Sequence, residues 1–203
     1  MLTLDHLAVL GTSLAAAQAH AEAALGRVLR PGGRHPHFAT HNALLGLEAG
    51  LYLEAIAIDP DAKAPGYPRW FGLDDFTGAP RFDKWICRVD DLDAALQALP
   101  VAGQPVALSR GDLRWRMAVP GDGRLPWVGL FPALIEWQTA PIPGDTLSEP
   151  GLRLDRLTVT HPEAGALQDL LAPYLADPRV GFEAGAAGLR ARFATPEGEK
   201  VLT

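Results

Sequence analysis

The sequence predicts an α+β protein built from repeated β-α-β-β-β units. Three segments open alike, Leu4-Asp5-His6-Leu7, Phe82-Asp83-Lys84-Trp85 and Leu154-Asp155-Arg156-Leu157, and each opening has the pattern of a strand. A stripe of apolar residues at helical spacing follows each opening. Short apolar runs separated by turn residues follow each stripe. A pattern that recurs in this way indicates repetition of one supersecondary unit.

The first unit contains one predicted helix and two clear strands. Thr12 and Ser13 are candidate N-caps of the helix. Its apolar stripe consists of Leu14, Ala17, Ala21, Leu25 and Val28. Apolar runs at 41–47 and 51–58, separated by Glu48-Ala49-Gly50, predict antiparallel strands.

The second and third units repeat this order. Asp90 and Asp91 are candidate caps of the second helix, whereas Pro162 suits the first turn of the third and Pro173 shortens it. The predicted strands are 106–109, 113–119 and 128–137 in the second unit and 180–183, 189–194 and 200–202 in the third.

Two linkers rich in Pro, Gly and Asp divide the chain, at 59–81 and 139–151. The first linker lies between units 1–58 and 82–139, which together form a paired region 1–139. The second linker leads to a third unit at 152–203. The 59–81 linker exceeds the roughly 12 to 15 residues of ordinary loops. Because it carries Trp70, Phe71 and Phe76, it is predicted to be a lid over a site, with a disordered connection as the alternative.

Composition restricts the class of partner. The chain has 203 residues, 48% hydrophobic and 21% charged, as in ordinary globular domains, and a net charge of −6. That charge argues against a nucleic-acid partner and favours a small molecule. Cys87 is the single cysteine and has no partner for an internal disulfide, so the sequence predicts a cytoplasmic protein. Because Cys87 shares a strand face with Trp85 and Val89, its thiol is predicted to be buried. The N-terminus has no signal-peptide pattern, and the apolar stretch 125–135 is too short to span a membrane.

Several motifs, in this order and spacing, resemble the glyoxalase-like domain family of the vicinal oxygen chelate superfamily. They are Leu4-Asp5-His6-Leu7, Gly32-Gly33-Arg34-His35-Pro36, Thr40-His41-Asn42-Ala43-Leu44, Tyr52-Leu53-Glu54 and Leu134-Ile135-Glu136-Trp137. The resemblance implies that two units pair into a curved, mostly antiparallel sheet around a concave pocket, with the helices on the outer face. It also implies that metal ligands project from the first and last strands of each unit.

The resemblance places a metal site at His6, Glu54 and Glu136. One divalent ion, Zn, Mn, Fe or Ni, would act there as a Lewis acid in a lyase, an isomerase or a dioxygenase-like enzyme, with Glu54 and Glu136 as catalytic carboxylates. Lys84 aligns with His6 in the second unit, and an ammonium group has no lone pair to give a metal. The alternative is a metal-free protein that binds or sequesters a small molecule, in which Lys84 neutralises the carboxylates.

Strand alternation gives Glu54 an unusual setting. It shares a face with Tyr52 and Ile56 on a strand that is otherwise apolar, so its carboxylate needs a cation, a metal or hydrogen-bond donors. His6 shares its face with Leu4 and Ala8. We therefore expect His6 and Glu54 to face one pocket.

Further residues are candidates for contacts with a substrate. Arg34, His41 and Asn42 lie in the 32–42 segment, which is either a loop at the pocket or a solvated loop. Arg110 belongs to a charged run that either is a solvated face or favours an anionic ligand. Trp70 on the linker and Lys84 complete the set, which suits a small, oxygen-rich or anionic molecule.

The third unit has Arg156 at the position of the histidine and Leu202 or Thr203 near that of the glutamate. It therefore supplies no such ligand pair. We expect it to cover a sheet edge or to contribute to a homodimer, since exposed edges invite pairing.

Overall fold

The computed structural model describes residues 1–147 and 151–203, so residues 148–150 of the predicted 139–151 linker lie outside the described residues. The strands are β1 (Thr3–Leu10), β2 (Arg30–His35), β3 (Thr40–Gly46), β4 (Tyr52–Ile58), β5 (Arg81–Arg88), β6 (Gln104–Arg110), β7 (Leu113–Val119), β8 (Ala133–Trp137), β9 (Arg153–Thr160), β10 (Val180–Glu183), β11 (Gly188–Thr195) and β12 (Gly198–Leu202). The helices are α1 (Leu14–Leu25), α2 (Leu92–Ala98), α3 (Pro126–Gly129), α4 (Pro143–Thr146) and α5 (Ala164–Leu171).

The first two units form one eight-stranded sheet in the order β2-β3-β4-β1-β5-β8-β7-β6. Within each unit the first strand pairs in parallel with the last, β1 with β4 and β5 with β8. The antiparallel pair β1–β5 joins the two units. The predicted α+β class with a curved, mostly antiparallel sheet is confirmed.

Helices α1 and α2 begin where the sequence predicts, but α1 ends at Leu25, before the predicted Val28, and α3 occupies the start of the predicted strand 128–137. Ser13 accepts a hydrogen bond from the amide of Ala16 at the start of α1, and Gly26, with φ of 66°, ends it in the left-handed conformation. Asp91 caps α2 in the same way. Because α1 packs on β4 and β1, and α2 on β7, both helices cover the outer face of the large sheet.

The large sheet curves until its two edge strands meet. β2 lies against β6, with the Arg110 side chain passing over Gly33. The sheet is therefore an almost closed barrel, and the inward-facing side chains enclose its interior. The sequence predicts a loop over 32–42, but Arg30–His35 is a strand. With Pro31, Gly32 and Gly33, this strand lacks the apolar alternation on which strand prediction depends.

The third unit forms its own sheet, in the order β10-β9-β11-β12. Here the first strand lies between the second and third, unlike β1 and β5 in their units. The small sheet contacts β5 and α1, and Phe182 packs against Trp85. It covers the outer face of the large sheet rather than an edge, because large apolar side chains such as Trp85 project from that face.

The 59–81 linker folds over one end of the barrel. Trp70, Phe71 and Leu73 are buried in a short 3-10 segment, and Trp70 stacks between Phe38 and Phe71. Cys87 is buried and free, as predicted. In the part of the chain that the structure describes, no helix has the length and apolar character needed to span a membrane.

Candidate functional site

A cavity of about 30 Å³ lies inside the barrel, and we call it the interior cavity. Its polar lining consists of His6, His35, Asn42, Glu54 and Arg110. Its aromatic walls are Tyr52, Trp70, Phe71, Trp115 and Trp137. A space of this size holds about two water molecules, since one needs roughly 10–15 Å³.

Asp5 and His6 enter the site together because β1 is irregular at this point. The pairing register with β5 shifts between Leu4 and His6, which leaves Asp5 out of the ladder as in a β-bulge. The Asp5 carboxylate lies 2.6 Å from Nδ1 of His6 and accepts a hydrogen bond of 3.1 Å from Nε1 of Trp137. The His6 ring also stacks on Tyr52, with centroids 4.3 Å apart. These contacts fix the orientation of the imidazole.

The His6 imidazole is charged at neutral pH. Burial alone would lower its pKa, but the carboxylates of Asp5 and Glu54 raise that pKa from 6.5 to about 9. Nε2 lies 3.7 Å from Oε2 of Glu54, which is beyond ordinary hydrogen-bond distance. The Nε2–H group therefore remains able to donate to a ligand atom.

Glu54 is ionised although it is buried. Burial would raise its pKa, but His6 and the amide of Asn42 lower it below the ordinary value. Nδ2 of Asn42 donates to Oε1 of Glu54 over 2.5 Å. The prediction that this carboxylate requires a compensating cation or donor is met by these two side chains.

Asn42 connects Glu54 to Arg110. Its Oδ1 accepts hydrogen bonds from Nη1 of Arg110, over 3.1 Å, and from the amide of Gly33, over 2.7 Å. The same Arg110 nitrogen lies 3.4 Å from Nε2 of His35. Burial, followed by weaker effects that include the charge of Arg110, lowers the pKa of His35 to about 4, so this imidazole is neutral at pH 7. Asp5, His6, Glu54, Asn42 and Arg110 form what we call the polar chain.

The Gly32-Gly33 pair makes room for this arrangement. A Cβ at Gly32 would overlap the side-chain oxygen of Asn42, and one at Gly33 would overlap Cδ of Arg110. Any larger residue at either position would displace one of these side chains, so their close approach favours glycine.

The structure brings His6, Glu54, Asn42, Arg110 and Trp70 together at the interior cavity. It does not bring Glu136 there. Ile135 and Trp137 face the interior, so alternation along β8 turns Glu136 to the helix side. There its Oε2 lies 2.5 Å from Nε of Arg116, which also binds Asp93 of α2.

Three other predicted residues lie elsewhere. Arg34 is exposed and pairs with Asp59 and Asp61. His41 alternates with Asn42 and so faces away from the cavity. Lys84 is buried, pairs with Asp83 and lines a separate cavity. Burial lowers the pKa of its ammonium group, and Asp83 opposes that shift.

The donor set does not fit a metal ion. A metal site takes at least three protein ligands, and only two of the predicted set, His6 and Glu54, meet. Within residues 1–147 and 151–203, no group of three His, Cys, Asp or Glu side chains is arranged to hold an ion. The guanidinium of Arg110 also brings a positive charge to the same cavity.

Residues 4–175 match the family described as glyoxalase-like domain, and the chain belongs to that family. A hypothetical protein from Staphylococcus aureus shares the fold, with a TM-score of 0.62 at 13% identity over 99% of this chain and 84% of that one. Methylmalonyl-CoA epimerase from Mycobacterium tuberculosis aligns with a TM-score of 0.44 at 23% identity, over 68% and 88% of the two chains. The Streptomyces coelicolor epimerase gives 0.45 at 16%, over 70% and 100%. No curated protein matches the chain.

Sequence reasoning missed several residues of the site. Strand alternation gives no reason to place Asp5 in the site, because a β-bulge cannot be predicted from alternation. His35 was one of several histidines in a segment predicted as a loop. The sequence places Trp137 only within a family motif, yet it lines the cavity. The signal available for His35 was its place two residues from Gly33, on the same face of a strand.

Proposed function

We propose that the protein binds a small organic anion inside the barrel, with Arg110 as the anchor and without a divalent metal. The observation that carries the proposal is the setting of Arg110. Its guanidinium lines the interior cavity and contacts the neutral groups of Asn42 and His35. Among the described residues it forms no salt bridge. A guanidinium of this kind is suited to a carboxylate.

The remaining charges of the site support this choice of ligand. The carboxylates of Asp5 and Glu54 face the cations of His6 and Arg88, at distances from 2.6 to 3.7 Å. Arg110 then adds a positive charge that no described carboxylate matches. An anionic group on the ligand would neutralise this charge in a partly buried site, where water solvates it less completely than at an open surface.

The aromatic walls suit a ligand with a planar or apolar body. The interior cavity, at about 30 Å³, is far smaller than the roughly 300 Å³ of ordinary ligand sites. Trp70 and Phe71 of the 59–81 linker form part of its wall. We propose that this linker acts as a lid and that these rings move when a ligand enters.

Metal independence has its own test. Elemental analysis of protein purified without chelator should find Zn, Mn, Fe and Ni far below one equivalent, because only His6 and Glu54 of the three predicted metal ligands meet. If wild type contains near-stoichiometric metal and Glu54→Gln does not, the proposal is wrong and the hypothesis of a metal-dependent enzyme is favoured instead.

A second candidate is an acid–base enzyme, favoured by the position of Glu54 3.7 Å from Nε2 of His6. A carbonyl compound bound beside this pair could lose a proton from its α-carbon to Glu54 while Nε2–H of His6 donates to the carbonyl oxygen. The lowered pKa of Glu54 makes it a weak base. Exchange of the α-hydrogens of pyruvate in D₂O, lost in Glu54→Gln, would identify this activity; exchange that is equal with and without protein would rule it out for this substrate.

Binding can be measured with benzoate and with benzamide, its uncharged match. We expect benzoate to shift the indole N–H signals of Trp70, Trp115 and Trp137 in NMR spectra, because these rings line the cavity. The signal of Trp85 is the internal reference, since its Nε1 bonds to the carbonyl of Leu130 outside the cavity. Arg110→Met should weaken benzoate binding at least about tenfold and leave benzamide unchanged.

Arg114→Met is the matched control. Arg114 is exposed and donates to the carbonyls of Gly111 and Leu113, so its loss should leave benzoate binding unchanged. Equal effects of the two substitutions, or shifts of the Trp85 signal alone, would show that the cavity is not an anion site.

A further inference from the structure

A second cavity, of about 390 Å³, lies beside the interior cavity, and we call it the outer chamber. It is lined among others by Phe71, Arg81, Asp83, Lys84 and Arg124. Its volume is that of a ligand site, whereas the interior cavity holds only water-sized molecules. Neither the family to which the chain belongs nor the proposed anion site at Arg110 assigns a role to this chamber.

The two cavities lie on the same face of the large sheet. Ala8 pairs with Glu54 on one side and with Lys84 on the other, so the three residues form one row across β4, β1 and β5. Residues paired in this way share a face, and neighbouring strands lie about 4.8 Å apart. The Cα atoms of Glu54 and Lys84 are therefore roughly 10 Å apart, and Ala8 lies between them on the sheet.

Phe71 separates the two cavities, since it lines both. Its backbone has φ of 62°, in the left-handed region that non-glycine residues rarely adopt. Val128, which also lines the chamber, and its neighbour Trp127 have φ of 56° and 52°. Strained backbone of this kind concentrates at binding sites and switch segments. The partition is thus built from a segment held in an unfavourable conformation.

The charges of the outer chamber leave one cation in excess. Lys84, whose side chain is only 5% exposed, shares the carboxylate of Asp83 with Arg81. Arg124 pairs with Asp75. Three cations therefore face two carboxylates. A further anionic group would balance the chamber, as one would balance Arg110 in the interior cavity.

We propose that the ligand is an elongated dicarboxylate that spans both cavities, with one carboxylate at Arg110 and the other at Lys84. Phe71 must swing aside for the chain of the ligand to pass, which joins the interior cavity to the outer chamber. Lys84 then determines specificity for length and second charge. This inference rests on the proposed anion site at Arg110 and adds a second site to it.

The probes are unbranched α,ω-dicarboxylates from glutarate to sebacate, each compared with the monocarboxylate of equal carbon number. Binding to the full chain is measured by titration calorimetry. We expect one length of dicarboxylate to bind roughly tenfold more tightly than its monocarboxylate, the effect of about 1.4 kcal/mol. Shorter and longer members should lose this advantage because they cannot place both groups at once.

Lys84→Met keeps the length of the side chain and removes its charge. It should abolish the advantage of the dicarboxylate and leave the monocarboxylates unchanged. Lys63→Met is the matched control, because Lys63 is exposed and lies outside both cavities. A dicarboxylate advantage that survives in Lys84→Met, or that falls equally in both variants, would overturn the inference.

A measurement on the wild-type protein keeps the test decisive if Lys84→Met does not fold. The backbone amide signals of Gly72 and Gly129, which border the outer chamber, should respond to the preferred dicarboxylate and not to its monocarboxylate. Equal responses to both would overturn the two-cavity site alone. Monocarboxylate binding that is indifferent to Arg110→Met would instead overturn the anion site on which it rests.

Discussion

His6 holds a proton that most histidines release near neutral pH. Its Nδ1 lies against Asp5 and its Nε2 faces Glu54, and these two carboxylates outweigh the effect of burial. The pKa of His6 is therefore raised to about 9. At the scale of the residue, the site is a cation held between two anions, with one N–H group free to meet a ligand.

The titration of His6 should depend on Glu54 and not on Glu136. Glu54→Gln removes one of the two neighbouring anions, so the pKa of His6 should fall by about 1 to 2 pH units. Glu136→Gln is the matched control, because that carboxylate faces Arg116 on the helix side. NMR titration of the imidazole protons measures both. If the two variants shift the pKa of His6 equally, the contact between His6 and Glu54 is not the cause.

At the scale of the element, β2 shows how backbone permits side-chain contact. It has no apolar alternation, and its Gly32-Gly33 pair lets Asn42 and Arg110 approach. The seam between β2 and β6 and the polar chain therefore depend on the same two residues. Neither glycine needs a left-handed conformation, so the space alone explains them.

Gly33→Ala should disturb the anion site through Arg110. The added methyl group displaces the arginine side chain, so we expect benzoate affinity to fall severalfold and stability to fall by about 1 to 2 kcal/mol. Gly165→Ala is the control, because a Cβ there meets nothing within 4 Å and the residue lies in α5. Calorimetric binding and denaturant unfolding of both variants test this. Unchanged benzoate affinity in Gly33→Ala would show that Arg110 is not held by this contact.

The sequence predicted the elements well where local signals act alone. The caps at Ser13 and Asp91 and the repeated order of strands and helix were found because capping and periodicity are properties of neighbouring residues. The seam between β2 and β6 could not be found, since it joins residues far apart in the chain. The third unit was recognised by its pattern, but its strand order and its place on the outer face depend on packing against β5.

The candidate site also contains residues that local signals predict and residues that they do not. Glu54 was found because a carboxylate on an apolar strand requires a partner. Glu136 was placed opposite it by aligning the two units, and that alignment gave the wrong face, since Ile135 and Trp137 line the cavity. Asp5 depends on a register shift that leaves no trace in the sequence. The lid, the homodimer and the role of each residue stay predictions.

At the scale of the whole molecule, two buried histidines shape stability in opposite pH ranges. The folded pKa of His6 is raised from 6.5 to about 9, so its stabilisation is complete below pH 6.5 and is lost as pH rises through 9. The folded pKa of His35 is lowered from 6.5 to about 4. Stability therefore falls as pH decreases from 6.5 towards 4, because His35 is protonated in the unfolded chain but stays neutral in the folded protein.

The free energy of unfolding should therefore peak near pH 6.5. Each histidine contributes a decline of about 3 kcal/mol on its own side of the peak. His6→Gln should flatten the alkaline side, and His35→Gln should flatten the acidic side. Urea unfolding at a series of pH values measures all three proteins. If the free energy of unfolding falls equally with pH in wild type and His6→Gln above pH 6.5, then His6 does not carry the raised pKa.

The meeting of β2 with β6 also bears on how the protein behaves when it is concentrated. Open strand edges promote aggregation by pairing with other chains, and proteins protect them by covering them or by placing proline in them. Here each edge strand of the large sheet covers the other, and each contains a proline, Pro31 and Pro105. Polymerisation by sheet extension is therefore blocked at the barrel. Any such association would have to begin at β10 or β12, the edges of the small sheet.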